Sequence, residues 1–216
     1  MQPSSGQAVY IEVKEMILSN EIPGGEFLSE GNIASKMGTS RTPVREAFRR
    51  LEAEGWLRIF PKRGALVLSL SDGEAAQLIE ARLLIEANAI AAVSSHPARL
   101  KRLVESLQGE LEKQAEIVRS EDIRKFGRAD AAFHLEIVRA GENQVLYEIY
   151  ESLSDRQQRM TSAMLTRFPE QAGKIVRDHT ELVEFVRSGD SAGYRECAMR
   201  HLKDEHGLDV LNGTGD

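Results

Sequence analysis

Between Arg41 and Leu57 the polar and apolar positions separate as they do on a helix. At about 100° per residue, Arg41, Arg45 and Arg49 fall on one stripe and Val44, Phe48 and Leu51 on the opposite side. Ser40, Thr42 and Pro43 mark its start, since a hydroxyl can satisfy the first free amides and proline's fixed φ suits an opening turn. Upstream, Val9, Val13, Ile17 and Leu18 recur with the helical period until Pro23-Gly24-Gly25, and Ser29 to Met37 reads as a short second helix closed by Gly38. Downstream, Trp56-Leu57-Arg58-Ile59-Phe60 and Ala65-Leu66-Val67-Leu68 are β-type runs joined through Pro61-Lys62-Arg63-Gly64. Three helices followed by a hairpin predict a winged helix-turn-helix.

After Ser69-Leu70-Ser71-Asp72 the β signals vanish and long helical periods take over. The expected boundary is therefore at residue 70, with a helix-turn-helix domain over 1–70 and a helical domain over 71–216. Breaks at Ser95-His96-Pro97, Arg119-Ser120, Gly141-Glu142, Phe168-Pro169 and Gly189-Asp190 cut the second part into segments of helical length. The fold class is mostly α: a winged helix-turn-helix followed by an all-α, six-helix antiparallel bundle. Asn143 is placed to cap the helix after Gly141-Glu142, and the Gly-rich stretch from Leu211 to Asp216 is expected to fray.

Composition narrows the setting. The longest apolar stretch, Leu83 to Val93, is interrupted by Glu86 and Asn88, short of the ~20 apolar residues that span a bilayer. Met1 to Gln7 contains neither a basic residue nor an apolar core, so no secretory signal is expected. Cys197 is the single cysteine, which fits a reducing compartment, and a cytoplasmic protein is expected. The net charge of −6 conceals a local excess: Lys36 to Arg63 holds eight Lys or Arg against three acids, a local +5. A basic patch on an acidic chain directs one face toward a polyanion.

Three guanidiniums one helical turn apart suit phosphates and the O6/N7 edge of guanine, although the same stripe could be a solvated face paired with Glu46, Glu52 and Glu54. Pro23-Gly24, Leu28, Glu30, Ile33-Ala34, Gly38, Ser40-Arg41-Thr42-Pro43-Val44-Arg45-Glu46-Ala47, Leu51, Gly55 and Arg63-Gly64 resemble, in order and spacing, the GntR family of bacterial transcription regulators. The resemblance implies a DNA-contacting set of Ser40, Arg41, Thr42, Arg45 and Arg49 with the wing tip Lys62, Arg63 and Gly64, the wing entering the minor groove. It also implies a homodimer on a pseudo-palindromic double-stranded operator. Gly31 departs from relatives that carry a larger polar or basic side chain there, so a phosphate contact from the second helix is expected to be missing.

In the second part, Asp130 and His134 lie about 40° apart on a helix, with Ile137 and Val138 continuing their stripe. His179 shares an apolar stripe with Ile175, Val176, Leu182, Val183 and Val186, and His201 shares one with Tyr194, Cys197, Ala198 and Leu208. Three histidines and a carboxylate thus point inward from three helices; His96 before Pro97, and His206 on another side of the last helix, do not join them. Either these residues hold a divalent metal or they line a histidine-rich pocket without one. Asp130-Ala-Ala-Phe-His134, Asp178-His179-Thr-Glu-Leu182 and Met199-Arg-His201-Leu202 resemble the metal-binding pattern of the FCD domain of the FadR subfamily, in its six-helix VanR-like variant. A metal set of Asp130, His134, His179 and His201 is thereby implied, for an ion such as Zn²⁺, Ni²⁺ or Mn²⁺.

Arg82 and Glu86 interrupt the inward apolar stripe of the first bundle helix. They form an internal pair, or they bind an effector, Arg82 clamping a small carboxylate whose other end meets the metal. Cys197, with no second cysteine beside it, reads as packing. The expected function is a ligand-responsive transcriptional regulator, most often a repressor in this family, and not an enzyme. The alternatives are a metal-dependent enzyme fused to a DNA-binding module, with Glu86 as base, and a sensor in which the metal is structural or is itself the signal.

Overall fold

Ser4 opens the first helix in extended conformation and its hydroxyl accepts from the Gln7 amide at 3.3 Å. The helix, α1 (Ser5–Leu18), buries Val9, Tyr10, Val13, Met16, Ile17 and Leu18, and the chain leaves it through Asn20 at φ 59°. A two-residue strand, β1 (Phe27–Leu28), precedes α2 (Glu30–Lys36), and Gly38 at φ 61° turns the chain toward α3 (Arg41–Ala53). Helix α3 buries Pro43, Val44, Ala47, Phe48 and Leu51 and leaves the arginine stripe exposed. Ser40 stands at its N-cap without a side-chain capping hydrogen bond. The wing strands are β2 (Leu57–Phe60) and β3 (Gly64–Val67), antiparallel with Arg58 opposite Leu66 and Phe60 opposite Gly64.

The wing is larger than the hairpin expected. β1 pairs antiparallel with the outer edge of β3, giving the order β1-β3-β2. Two residues are too few to show a period of two, so no sequence pattern announces this strand. Gly64 makes the arrangement possible: at φ 96°, a Cβ placed on it would collide with the Leu28 carbonyl of β1.

This computed structural model describes residues 4–206 and falls into two compact units that divide between Leu70 and Ser71. The second unit opens with a capping box, Ser71 and Glu74 exchanging side-chain and backbone hydrogen bonds at the start of α4 (Asp72–Ser94). Then come α5 (Pro97–Arg119), a 3₁₀ turn (Ile123–Lys125), α6 (Phe126–Ala140), α7 (Gln144–Arg167), α8 (Gln171–Ser188) and α9 (Ser191–His206). The expected breaks coincide with the ends of these six helices. Pro97 opens α5, Asn143 caps α7 by accepting from the Leu146 amide at 3.1 Å, and Gly189 at φ 70° closes α8. The tail from Leu211 and the Leu208 position lie outside the described residues.

Helix α6 packs between α5 and α7, α8 lies against α5 and α9, and α4 closes the bundle on α6, α7 and α9. One apolar cluster joins Ile90, Val93, Leu107, Phe133, Ile137, Val183, Val186 and Tyr194, and a smaller one joins Phe126, Leu165, Ala172 and Ile175. The approach of α6 to α7 requires Gly127, since a Cβ there would meet Ser162 Oγ and, at 2.7 Å, the Gln158 carbonyl. The bundle interior is not wholly apolar: Arg82, Glu86, Gln114, Asp130, His134, Gln157, Thr161 and His179 are completely buried in it. Among the described residues, no helix is long and apolar enough to cross a membrane.

In the first unit α1 is tied to the end of α3 by Glu54, which accepts from Tyr10 at 2.8 Å, Lys14 at 3.0 Å and Arg50 at 3.2 Å. Burial would raise the Glu54 carboxyl, but these donors outweigh it and hold the group below the usual carboxylate range. A carboxylate with a depressed folded-state pKa adds stability above its unfolded pKa of ~4.3, and that stability is lost as pH falls through the folded value. Glu54→Gln is expected to cost about 1 kcal/mol at neutral pH, since the pair is partly screened by solvent. It should also flatten the acid loss of stability. Urea unfolding followed by fluorescence of Trp56, the only tryptophan, measures both, and an unchanged acid limb would contradict this role.

Candidate metal centre and nucleic-acid face

Asp130 and His134, one turn apart on α6, meet His179 of α8 and His201 of α9, with one donor atom from each lying within 4.8 Å of the others. All four are buried. Asp130 is oriented by α7: its Oδ2 accepts from Gln157 Nε2 at 3.0 Å and from Thr161 Oγ1 at 3.1 Å. Its Oδ1 is left facing the imidazoles, 3.4 Å from His179 Nε2 and 3.9 Å from His134 Nε2.

Each imidazole has an acceptor behind it. His134 Nδ1 lies 2.9 Å from Glu86 Oε2, His179 Nδ1 lies 2.8 Å from Gln114 Oε1, and His201 Nδ1 lies 3.3 Å from Asp178 Oδ2. The Gln114 amide nitrogen donates to the Ala129 carbonyl at 3.2 Å, which turns its oxygen toward His179. Three acceptors behind three Nδ1 atoms place the protons there and leave three Nε2 lone pairs converging. The Nε2 atoms of His179 and His201 are 3.2 Å apart. Two lone pairs facing each other at that distance repel unless a proton or a cation lies between them.

The spacing fits a cation. Ligands held about 2.1 Å from a first-row ion lie about 3.0 Å apart at octahedral angles and about 3.4 Å apart at tetrahedral ones, which brackets the 3.2 and 3.4 Å separations of His179 from His201 and Asp130. Burial first of all keeps His179 well below its ordinary pKa, so it stays neutral. The Phe133 ring stacks flat on His179 at 4.1 Å and fixes its plane. Cys197 is buried, burial first of all pushing its thiol up to about 11, and it is not among the four converging donors. The described residues include no side-chain detail for His206.

Arg82 and Glu86 are also completely buried, Arg82 Nε lying 3.4 Å from Glu86 Oε1 and donating to Tyr150 OH at 3.2 Å. The internal pair foreseen from their spacing is therefore present. Burial would raise the Glu86 carboxyl, yet His134, Arg82 and Tyr150 together hold it below the usual carboxylate range. Tyr150 and Tyr194 move the opposite way, burial and the adjacent Glu86 keeping both phenols protonated.

Several of these partners escape a reading of the sequence. Tyr150, Gln157 and Thr161 of α7 and Gln114 of α5 carry no motif, and their only signal is a polar residue at a position the helical period assigns to the interior. Asp178 precedes His179 directly, and Tyr194 shares the inward stripe of His201.

In the first unit Ser40, Arg41, Thr42, Arg45 and Arg49 are all exposed along α3, and Lys62 and Arg63 are exposed at the turn before β3, next to half-buried Gly64. Arg45 is held by Glu30 of α2, Nε to Oε2 2.7 Å. Among the described residues no ion pair restrains Arg41 or Arg49. Gly31 leaves room for Arg41, since a Cβ there would come within 3.4 Å of its Nη2. Arg63 lies over the Phe27 ring at 5.2 Å, and Phe27 in turn packs against Phe60 at 5.7 Å. Arg50 belongs elsewhere, stacked 3.6 Å over Tyr10 and bonded to Gln7. Glu54 pairs with that Arg50, and Glu52 accepts from the Ile59 amide at 2.7 Å, so these two acids do not neutralise the stripe.

Comparison with known proteins fits both units. Residues 5–67 match the family described as bacterial regulatory proteins, gntR family, and residues 77–204 match the FCD domain. The chain is 30% identical over 196 residues to an uncharacterised HTH-type transcriptional regulator in an unstable DNA locus of Streptomyces ambofaciens, covering 90% of this chain and 80% of that protein. It is 28% identical over 193 residues to the gluconate operon transcriptional repressor of Bacillus subtilis, covering 88% and 78%. The solved structure of Escherichia coli McbR/YncC superposes with a TM-score of 0.76 at 21% identity, over 98% of this chain and 99% of that one, which shows a shared fold. The relatives are regulators and repressors, not enzymes, and with a gntR-type DNA-binding unit followed by an FCD bundle this chain belongs to the GntR family of bacterial transcriptional regulators.

Proposed function

We propose that this regulator is a metal-assisted, effector-gated repressor. The observation that carries the reading is the buried set of Asp130, His134, His179 and His201, whose Nε2 and Oδ1 atoms converge with two imidazole nitrogens 3.2 Å apart. A divalent first-row ion held there, Zn²⁺, Ni²⁺ or Mn²⁺, supplies a Lewis-acid anchor with coordination positions open to a further ligand. The chain's own residues do the rest: Asp130 and the three imidazoles hold the ion, and Arg82 brings a guanidinium into the same interior. A small organic acid suits that combination, one oxygen toward the metal and a carboxylate toward Arg82.

On the DNA side, Ser40, Arg41, Thr42, Arg45 and Arg49 form the face that enters the major groove, with Lys62, Arg63 and Gly64 at the wing tip. Support comes from the exposure of this stripe and from its local positive charge in an acidic chain. A homodimer on a pseudo-palindromic operator suits the two-fold symmetry of half-site reading, and a DNA partner supports a cytoplasmic location. Residues 1–70 read the operator and residues 71–216 hold the effector and the partner copy. An effector that binds one arrangement of the bundle more tightly shifts the population of dimers whose two recognition helices match the half-sites.

Zn²⁺ at about a hundred times its dissociation constant should stabilise the metal-free protein by about 2.7 kcal/mol, raising its melting temperature by several degrees. Asp130→Ala should abolish that rise, and a wild-type protein whose melting is indifferent to Zn²⁺, Ni²⁺ and Mn²⁺ would refute the metal centre. Arg45→Ala is expected to lose specific binding to an operator selected by the wild-type protein from random DNA. The loss of one bidentate base contact corresponds to about 1–3 kcal/mol, or roughly 5- to 150-fold, and equal gel-shift affinity would remove Arg45 from the interface. A panel of small carboxylic acids added to metal-loaded protein should contain members that weaken operator binding; a panel without effect argues against gating by an acid.

A further inference from the structure

Glu86 stands where four helices meet. Its Oε1 accepts from Tyr150 of α7 at 2.6 Å and lies 3.4 Å from Arg82 Nε one turn back on α4. Its Oε2 accepts from Tyr194 of α9 at 2.9 Å and faces His134 Nδ1 of α6 at 2.9 Å. Every one of these side chains is completely buried. Both carboxylate oxygens are committed to groups inside the protein, an arrangement that suits neither gripping an effector nor taking a proton from one.

We infer that Glu86 is the positioning residue of the metal centre and ties it to α4. This rests on the metal reading above. An ionised carboxylate can only accept a hydrogen bond, so it keeps the His134 proton on Nδ1 and aims the Nε2 lone pair at Asp130, His179 and His201. The acceptors behind the other two imidazoles differ from it. Gln114 offers His179 a neutral amide oxygen, and Asp178, which is 20% exposed, lies 3.3 Å from His201. The same network reaches a second ligand: Tyr150 OH is 3.4 Å from Gln157 Oε1, and Gln157 Nε2 donates to Asp130 Oδ2.

Helix α4 follows directly on the first unit, beginning at Asp72 just past the division at Leu70. An ion bound at the centre would hold the His134 ring, and through it Glu86 and helix α4. The phenols of Tyr150 and Tyr194 hold the carboxylate against rotation from either side, so a change at the centre passes to α4 through hydrogen bonds already in place.

The test uses the full-length chain stripped of metal and titrated with Zn²⁺ by calorimetry. Glu86→Gln removes the charge behind His134 and is expected to weaken Zn²⁺ binding roughly 10- to 100-fold, as loss of such outer partners does. Tyr194→Phe leaves the Arg82–Glu86 charge balance intact and decides the question should Glu86→Gln fail to fold; it should weaken Zn²⁺ several-fold, on the order of the low end of that range, with the metal-free protein still folded at a melting temperature lowered by the loss of one buried hydrogen bond. Hydrogen exchange reads the tie to the helix: Zn²⁺ should slow the amides of 78–90 in the wild type, and in Glu86→Gln at saturating Zn²⁺ that slowing should vanish. Wild-type protein that takes up none of Zn²⁺, Ni²⁺ and Mn²⁺ overturns the metal reading and this inference together. Wild-type uptake with unchanged affinity in the variants overturns the role of Glu86 alone, and weakened affinity with unaltered exchange overturns its tie to α4.

Discussion

Burying ionisable groups is expensive, and the second unit is organised around making that burial tolerable. A carboxylate or imidazole cut off from water must find partners in the protein or lose its charge. Here every one of the six bundle helices supplies a partner: Arg82 and Glu86 from α4, Gln114 from α5, Asp130 and His134 from α6, Tyr150, Gln157 and Thr161 from α7, Asp178 and His179 from α8, and Tyr194 and His201 from α9. The apolar clusters on either side close the bundle, but the hydrogen-bond network sets its register. A shift of α7 along α6 would part Asp130 from both Gln157 and Thr161, and Gly127 permits the close approach that joins them.

The network also orders its members by role. Atoms that touch neighbours on the outside, namely the three Nδ1 atoms and Asp130 Oδ2, are occupied, whereas three Nε2 atoms and Oδ1 converge. A pocket lined with histidines for packing alone would have no reason to bring two imidazole lone pairs together. This asymmetry, more than the presence of three histidines, is what favours a cation.

The first unit obeys a different constraint. Its charges stay in water, where an ion pair is worth little and a guanidinium is free to exchange partners. Glu30 holding Arg45 and Phe27 carrying Arg63 restrain two side chains at small cost. Arg50, in contrast, is held to α1 through Tyr10 and Glu54, which explains why one cation of the basic segment stands apart from the arginine stripe.

The helical period and turn residues of the chain by themselves determined the order of the helices and the wing hairpin, the five breaks between the six bundle helices and the exposed arginine stripe. These are local properties: a proline, a capping asparagine or a left-handed glycine acts within a few residues of itself. The inward direction of Asp130, His134, His179 and His201 was equally legible, because a helix repeats its faces at a fixed angle. Tertiary structure alone decided what those side chains meet. β1 is too short to carry a period and exists only because Gly64 lets β3 receive it. Glu86 read as a companion of Arg82, yet it serves His134 as well, since Tyr150 and Tyr194 arrive from positions 64 and 108 residues away. Spacing along one helix reports which face a residue shares, and only the packing of several helices reports which lone pairs point at one another.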